Sequence, residues 1–141
     1  MQNFFQENDK NDSGPADAIT AACDGLVYIS ETDAPFLLFA GRQAAAVTAE
    51  ILLDQTDKAA DVQVEEIDFD TFFVQLATIR DWYDDARKAS AKRFLDLQTL
   101  LGENLSELKV FKTGRIQLDI FVVGIDKAGC LMGVTTKAVE T

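Results

Sequence analysis

Between Leu108 and Val139 the chain carries three runs of strand character separated by two short turn signals. Leu108–Lys112 and Arg115–Ile125 flank Thr113-Gly114, and Asp126-Lys127-Ala128-Gly129 precedes Leu131–Val139. Ile116, Leu118, Ile120 and Val122 recur at every second position, which places them on one face of a strand. A three-stranded antiparallel meander is the simplest arrangement, and it commits the last third of the molecule to a sheet that must bury at least one face.

The residues before it supply the covering layers. Residues 1–13 are polar and aperiodic and read as a flexible tail, leaving 14–141 as a single domain, which suits a chain of 141 residues. Gly14-Pro15 opens a short helix that Gly25 ends, with Ile19 and Ala22 facing a core. Leu26–Ile29 is apolar and leads into the turn composition Ser30-Glu31-Thr32-Asp33-Ala34-Pro35, and Phe36–Ala40 reads as a strand. Thr48 can cap a helix carrying Ile51 and Leu52. Val62 and Val64 suggest a further short strand, after which Asp68 or Asp70 can cap a helix carrying Phe72 and Phe73. The longest helix starts near Asp84-Asp85 and runs to about Leu101, where Gly102 ends it. Phe94, Leu97 and Leu101 share its buried face, and Arg87, Lys88, Lys92 and Arg93 cover the other side. The class is α+β, in layers around one largely antiparallel C-terminal sheet.

Charge narrows the function. The formal net charge is −11, and histidine is absent. Residues 1–85 hold 18 acids and 4 bases, whereas residues 86–141 hold 6 acids and 9 bases. A polyanion of this kind is repelled by DNA, RNA and anionic lipid, so its natural partner is basic. Without histidine there is no Ser-His-Asp triad and no histidine metal cluster. Cys23 and Cys130 are too few for a zinc or iron–sulfur site and read as two reduced thiols. No cofactor and no metal is expected. The longest apolar stretch, Ile120–Ile125, is far short of a membrane span, and no targeting segment is visible, which together predict a cytoplasmic protein.

Three strings carry possible chemistry. Asp68-Phe69-Asp70-Thr71 has the form used by aspartate-nucleophile phosphatases, in which one carboxylate attacks phosphorus and the other protonates the leaving group. The preceding Val64-Glu65-Glu66-Ile67 is too polar for the buried parallel strand such sites require, so an acidic helix start is the favoured reading. The wider acidic stretch from Glu65 to Asp85 lacks the spacing and central glycine of a calcium loop. Arg80-Asp81-Trp82-Tyr83 places the only tryptophan in a polar turn, either as an interface anchor or as a plug for the core. The ending Lys137-Ala138-Val139-Glu140-Thr141 follows a strand closely enough to be held by it.

An ordered set of motifs resembles the nuclease A inhibitor family, cyanobacterial-type proteins that block a non-specific, metal-dependent DNA/RNA endonuclease. The set comprises Asp24-Gly25-Leu26, Ser30-Glu31, Pro35-Phe36, Val47-Thr48 with Glu50-Ile51, Ile67-Asp68 with Phe72-Phe73, Asp81-Trp82-Tyr83, Leu118-Asp119 and Thr136–Thr141. Arg80 and the segment Ala40–Ala44 depart from the family pattern. The resemblance implies a three-layer α/β/α sandwich of the pathogenesis-related-protein-1-like type. It also implies an inhibitor that occupies the nuclease active site; a non-enzyme that binds one-to-one and is a monomer when free is expected. By the same resemblance Glu31 falls at an acidic contact to a nuclease arginine, Asp81 and Trp82 fall in an interface loop, and Thr141 is the terminal residue that approaches the nuclease metal. Two other readings stand beside it: an acidic interaction module of the same fold whose partner is no nuclease, and the phosphatase using Asp68 and Asp70.

Overall fold

The computed structural model describes residues 14–140; the tail expected at residues 1–13 and the terminal Thr141 lie outside them. Among the described residues the order is α1 (Gly14–Cys23), β1 (Val27–Ile29), β2 (Asp33–Pro35), β3 (Leu37–Gln43), α2 (Ala49–Gln55), β4 (Val64–Ile67), α3 (Phe69–Ala77), α4 (Asp85–Asn104), β5 (Ser106–Gly114), β6 (Gln117–Ile125) and β7 (Cys130–Val139). The fold is mixed α+β, with four helices and a five-stranded antiparallel sheet in the order β3-β7-β6-β5-β4. The meander β5–β6–β7 forms its centre, as its alternation predicts, with β3 and β4 added at the edges. Gly114 turns the first hairpin at φ 104°, a conformation that favours glycine. In the second turn the Asp126 carboxylate accepts hydrogen bonds from the backbone N–H groups of Ala128 and Cys130, both at 2.9 Å.

Both faces of the sheet are buried, and β6 shows why. Leu118, Ile120 and Val122 join a cluster with Ile19 and Cys23 of α1, Phe72 and Phe73 of α3, and Phe94, Leu97 and Leu101 of α4. The alternate residues Phe121 and Val123 join Val47, Leu52, Phe111 and Leu131 on the opposite face, beneath α2. Each of the larger side chains contributes roughly 1.5–3 kcal/mol by leaving water. Ile116 breaks the expected alternation: it lies in the β5–β6 turn and is exposed.

Three helix starts follow the capping rule. The side chains of Thr48, Asp68 and Asp84 accept hydrogen bonds from the backbone N–H groups of Ile51, Thr71 and Arg87, respectively. The end of α4 differs from expectation, for the helix continues through Gly102 to Asn104. Gly102 faces open space, and the further turn lets the Leu105 N–H reach the Leu101 carbonyl at 2.9 Å while the Leu105 side chain is buried. That gain offsets the cost of about 1 kcal/mol for a helical glycine. Arg93 also departs from the solvated basic face. Its guanidinium turns inward and donates to the carbonyls of Ala22 and Asp24, satisfying backbone acceptors where α1 ends.

Candidate functional site

The hairpin β1–β2 pairs Val27 with Pro35, Tyr28 with Ala34 and Ile29 with Asp33, so Ser30, Glu31 and Thr32 form its tip. These strands are only three residues long, and a two-stranded ribbon of that size is marginal by itself. It is held by the end of β7. The Thr136 hydroxyl donates to the Pro35 carbonyl at 2.9 Å. Further along, the Val139 N–H donates to Ser30 Oγ at 3.1 Å, and the Glu31 N–H donates to the Val139 carbonyl at 3.3 Å. Ser30 Oγ in turn donates to the Thr32 carbonyl at 2.7 Å, which closes the tip.

Glu140, just after β7, is held as well. The Glu140 N–H donates to the Ile116 carbonyl at 2.9 Å, and its carboxylate pairs with Lys112 Nζ at 3.2 Å. The Lys112 side chain is largely buried, which strengthens that contact relative to a surface pair. Glu31 and the last described residues therefore belong to one hydrogen-bonded unit, built from segments more than a hundred residues apart. Ser30 and Lys112 were not singled out by the sequence. Their role depends on a long-range contact that no local pattern encodes, although Ser30-Glu31 is among the motifs of the family resemblance. Thr141 lies outside the described residues.

Asp81 and Trp82 sit in the α3–α4 connection. Trp82 is 75% exposed and does not plug the core, which removes one of the two readings its sequence context allowed. Its ring meets Tyr83 edge-on at 6.2 Å, and the Tyr83 N–H bonds the Arg80 carbonyl at 3.1 Å. Asp81 is exposed beside it. Tyr83 and Ile29 line one hollow, so the loop and the hairpin are neighbours there.

The Asp68-Phe69-Asp70-Thr71 string takes the bland role. The Asp68 carboxylate caps α3, accepting from Thr71 N at 3.0 Å and Thr71 Oγ1 at 3.1 Å, and Asp70 accepts from Gln98 Nε2 at 3.0 Å. The strand before it, β4, is an antiparallel edge strand rather than a buried parallel one. Cys23 is buried and Cys130 partly buried, and both are unpaired; burial pushes the Cys23 thiol up to about 11. Among the described residues no group of histidine, cysteine and carboxylate side chains is arranged to hold a metal, and no helix is long and apolar enough to cross a membrane.

One ion-pair cluster was not anticipated. Asp119 on β6 receives Lys58 Nζ at 2.5 Å and Lys137 Nζ at 2.6 Å, joining the segment after α2 to the far end of β7. Partial burial raises the Asp119 pKa, but the hydrogen bonds and charges of Lys137 and Lys58 outweigh it and hold the carboxyl below its ordinary value. The cluster braces the end of β7 from the opposite face of the sheet.

The fold and these side chains define an acidic α+β domain in which a hairpin tip carrying Glu31 is tied to the end of β7 and a helix connection exposes the Trp82 indole. A family model described as nuclease A inhibitor-like protein matches residues 15–141, nearly the whole chain, and the chain belongs to that family. Membership suggests nuclease inhibition and a nuclease partner. No curated protein matches the chain.

Proposed function

We propose that this protein is a stoichiometric inhibitor of a non-specific, Mg²⁺-dependent, sugar-nonspecific endonuclease, that it occupies the nuclease active site, and that it has no catalytic activity of its own. The observation that carries the proposal, beyond family membership, is the backbone tie between Glu31 and Val139, which holds an acidic tip and the chain end together. A nuclease active site is shaped and charged for polyphosphate. The Glu31 carboxylate stands in for a phosphate, offers no phosphodiester to cleave, and pairs with an arginine of the nuclease. Thr141 brings its hydroxyl toward the nuclease metal. Asp81 and Trp82 form a second contact, with the indole as the anchor that limits dissociation.

Pre-organisation supports this reading. A tip already tied to Val139 through Ser30 and the Glu31 N–H loses little further conformational freedom on binding. The excess acid before residue 86 steers a basic partner and makes association salt-sensitive. In the same reading the layers on both faces of the sheet form a three-layer α/β/α sandwich of the pathogenesis-related-protein-1-like type. The free protein is a cytoplasmic monomer that binds its nuclease one-to-one, without nucleic acid or membrane as a direct partner.

Titrating the purified protein against an endonuclease of the nuclease A type, with plasmid DNA as substrate, tests the proposal. Cleavage is expected to vanish at one equivalent of inhibitor. Full cleavage at large excess would leave the reading of an acidic interaction module with another partner.

A further inference from the structure

The strand β7 ends at Val139, yet the next residue is held at both its backbone and its side chain. The Glu140 N–H donates to the Ile116 carbonyl at 2.9 Å, and the Glu140 carboxylate meets Lys112 Nζ at 3.2 Å. Lys112 is an unusual place for a cation. It pairs with Ile120 of β6 and follows Val110 by two positions, so it stands on the sheet face whose apolar side chains pack against α1, α3 and α4. Only 16% of its side chain is exposed, against 44% for Glu140. Tyr28 of the β1–β2 hairpin packs against the same cluster and lies within electrostatic reach of both charges: burial raises its pKa, Lys112 lowers it and Glu140 raises it. The pair therefore sits where β5, the hairpin and the end of β7 converge.

Stability alone does not call for a lysine at this position. A covered ion pair gains little over an apolar side chain of similar volume, because both charges give up water, but it fixes one arrangement of its partners. A residue bonded at both its N–H and its side chain keeps little freedom of its own, and this restricts the direction in which the chain leaves it. We infer that Lys112 is a positioning residue for nuclease binding: through Glu140 it sets the course of the chain beyond β7, so that the Thr141 hydroxyl meets the nuclease already directed. The inference rests on the proposed function and adds to it a residue that works from within the domain, without itself touching the nuclease.

Affinities for an endonuclease of the nuclease A type are measured by calorimetry for wild type, Lys112→Met, Lys112→Arg, Glu140→Gln, Thr141→Ala and Glu31→Ala. The double variants combine Thr141→Ala with Lys112→Met and with Glu140→Gln. Methionine keeps the length of the lysine stem and leaves the half-exposed Glu140 to water, and thermal melts confirm that each variant is folded. Lys112→Met is expected to weaken binding about tenfold, and Lys112→Arg, which keeps the charge, to restore it. General steering gives the opposite sign, because loss of a cation strengthens attraction to a basic partner. Tighter binding by Lys112→Met therefore overturns the inference. Thr141→Ala should cost less in either pair-broken background than in wild type, a coupling that a merely stabilising lysine does not produce. Equal costs in all backgrounds overturn the inference. Unchanged affinity in Lys112→Met, with Glu31→Ala weakened, overturns it and leaves the inhibitor reading intact. Absence of wild-type binding overturns both.

Discussion

The β1–β2 hairpin and the α3–α4 connection meet at one hollow through Ile29 and Tyr83, but they are held in opposite ways. The tip is fixed by bonds from distant parts of the chain: Ser30 and Glu31 engage both backbone groups of Val139, and Glu140 is held by Ile116 and Lys112. The connection is bonded only to its own neighbours among the described residues, Thr78 to Val74, Tyr83 to Arg80 and Asp84 to Arg87, and packs through its aromatic rings, leaving Trp82 outside. The difference separates two ways of contributing to affinity. In the proposed complex a braced tip would offer charge at little ordering cost, and an open aromatic loop would offer apolar area to be buried on binding. Substitutions in the first region should therefore register both in the free protein and in the complex, whereas substitutions in the second should register only in the complex.

The largest expected effect tests the second half of that statement. Trp82→Ala should weaken nuclease binding by about 2 kcal/mol, roughly 30-fold, while leaving the melting temperature of the free protein unchanged. A fall in Tm of several degrees would show that the indole packs within the domain and would erase the contrast. Ser30→Ala tests the first half. It removes the acceptor for the Val139 N–H and the donor to Thr32, so stability should fall by about 1 kcal/mol. Hydrogen exchange at the Val139 amide should accelerate in the same variant. Unaltered exchange there would mean that the tip is held without Ser30.

A smaller, pH-dependent effect sharpens the comparison from the other side of the sheet. The Asp119 carboxyl lies below its ordinary pKa in the folded protein. Its contribution is therefore present above the unfolded value of about 4 and is lost as the pH falls through the lower folded value. Asp119→Asn should cost about 1 kcal/mol near pH 7, the range between an exposed pair and a buried one, and the gap to wild type should close in acid. Equal pH dependence of the two proteins in urea unfolding would show that Lys58 and Lys137 do not brace the end of β7.

Much of the scaffold was legible because it is encoded locally. Thr113-Gly114 and Asp126–Gly129 mark the meander, the alternation of β6 gives its buried faces, and Thr48, Asp68 and Asp84 cap the helices where their side chains can reach free N–H groups. The β1–β2 hairpin was not legible as strands, since three-residue segments carry too little alternation and depend on β7 for support. Arg93 was read as a surface cation because helical spacing does not reveal that α1 ends with unsatisfied carbonyls above it. Glu31 was reached through family resemblance rather than pattern. The bonds that make it part of a built site, through Ser30 and Val139, join residues 109 positions apart and have no signature in either segment.

The central claim is that the braced acidic tip is what the nuclease binds. Calorimetric titration of Glu31→Ala against an endonuclease of the nuclease A type tests it most directly. The account predicts retained one-to-one stoichiometry and a dissociation constant raised about 30-fold, corresponding to about 2 kcal/mol. A wild-type dissociation constant in a folded Glu31→Ala protein would contradict it.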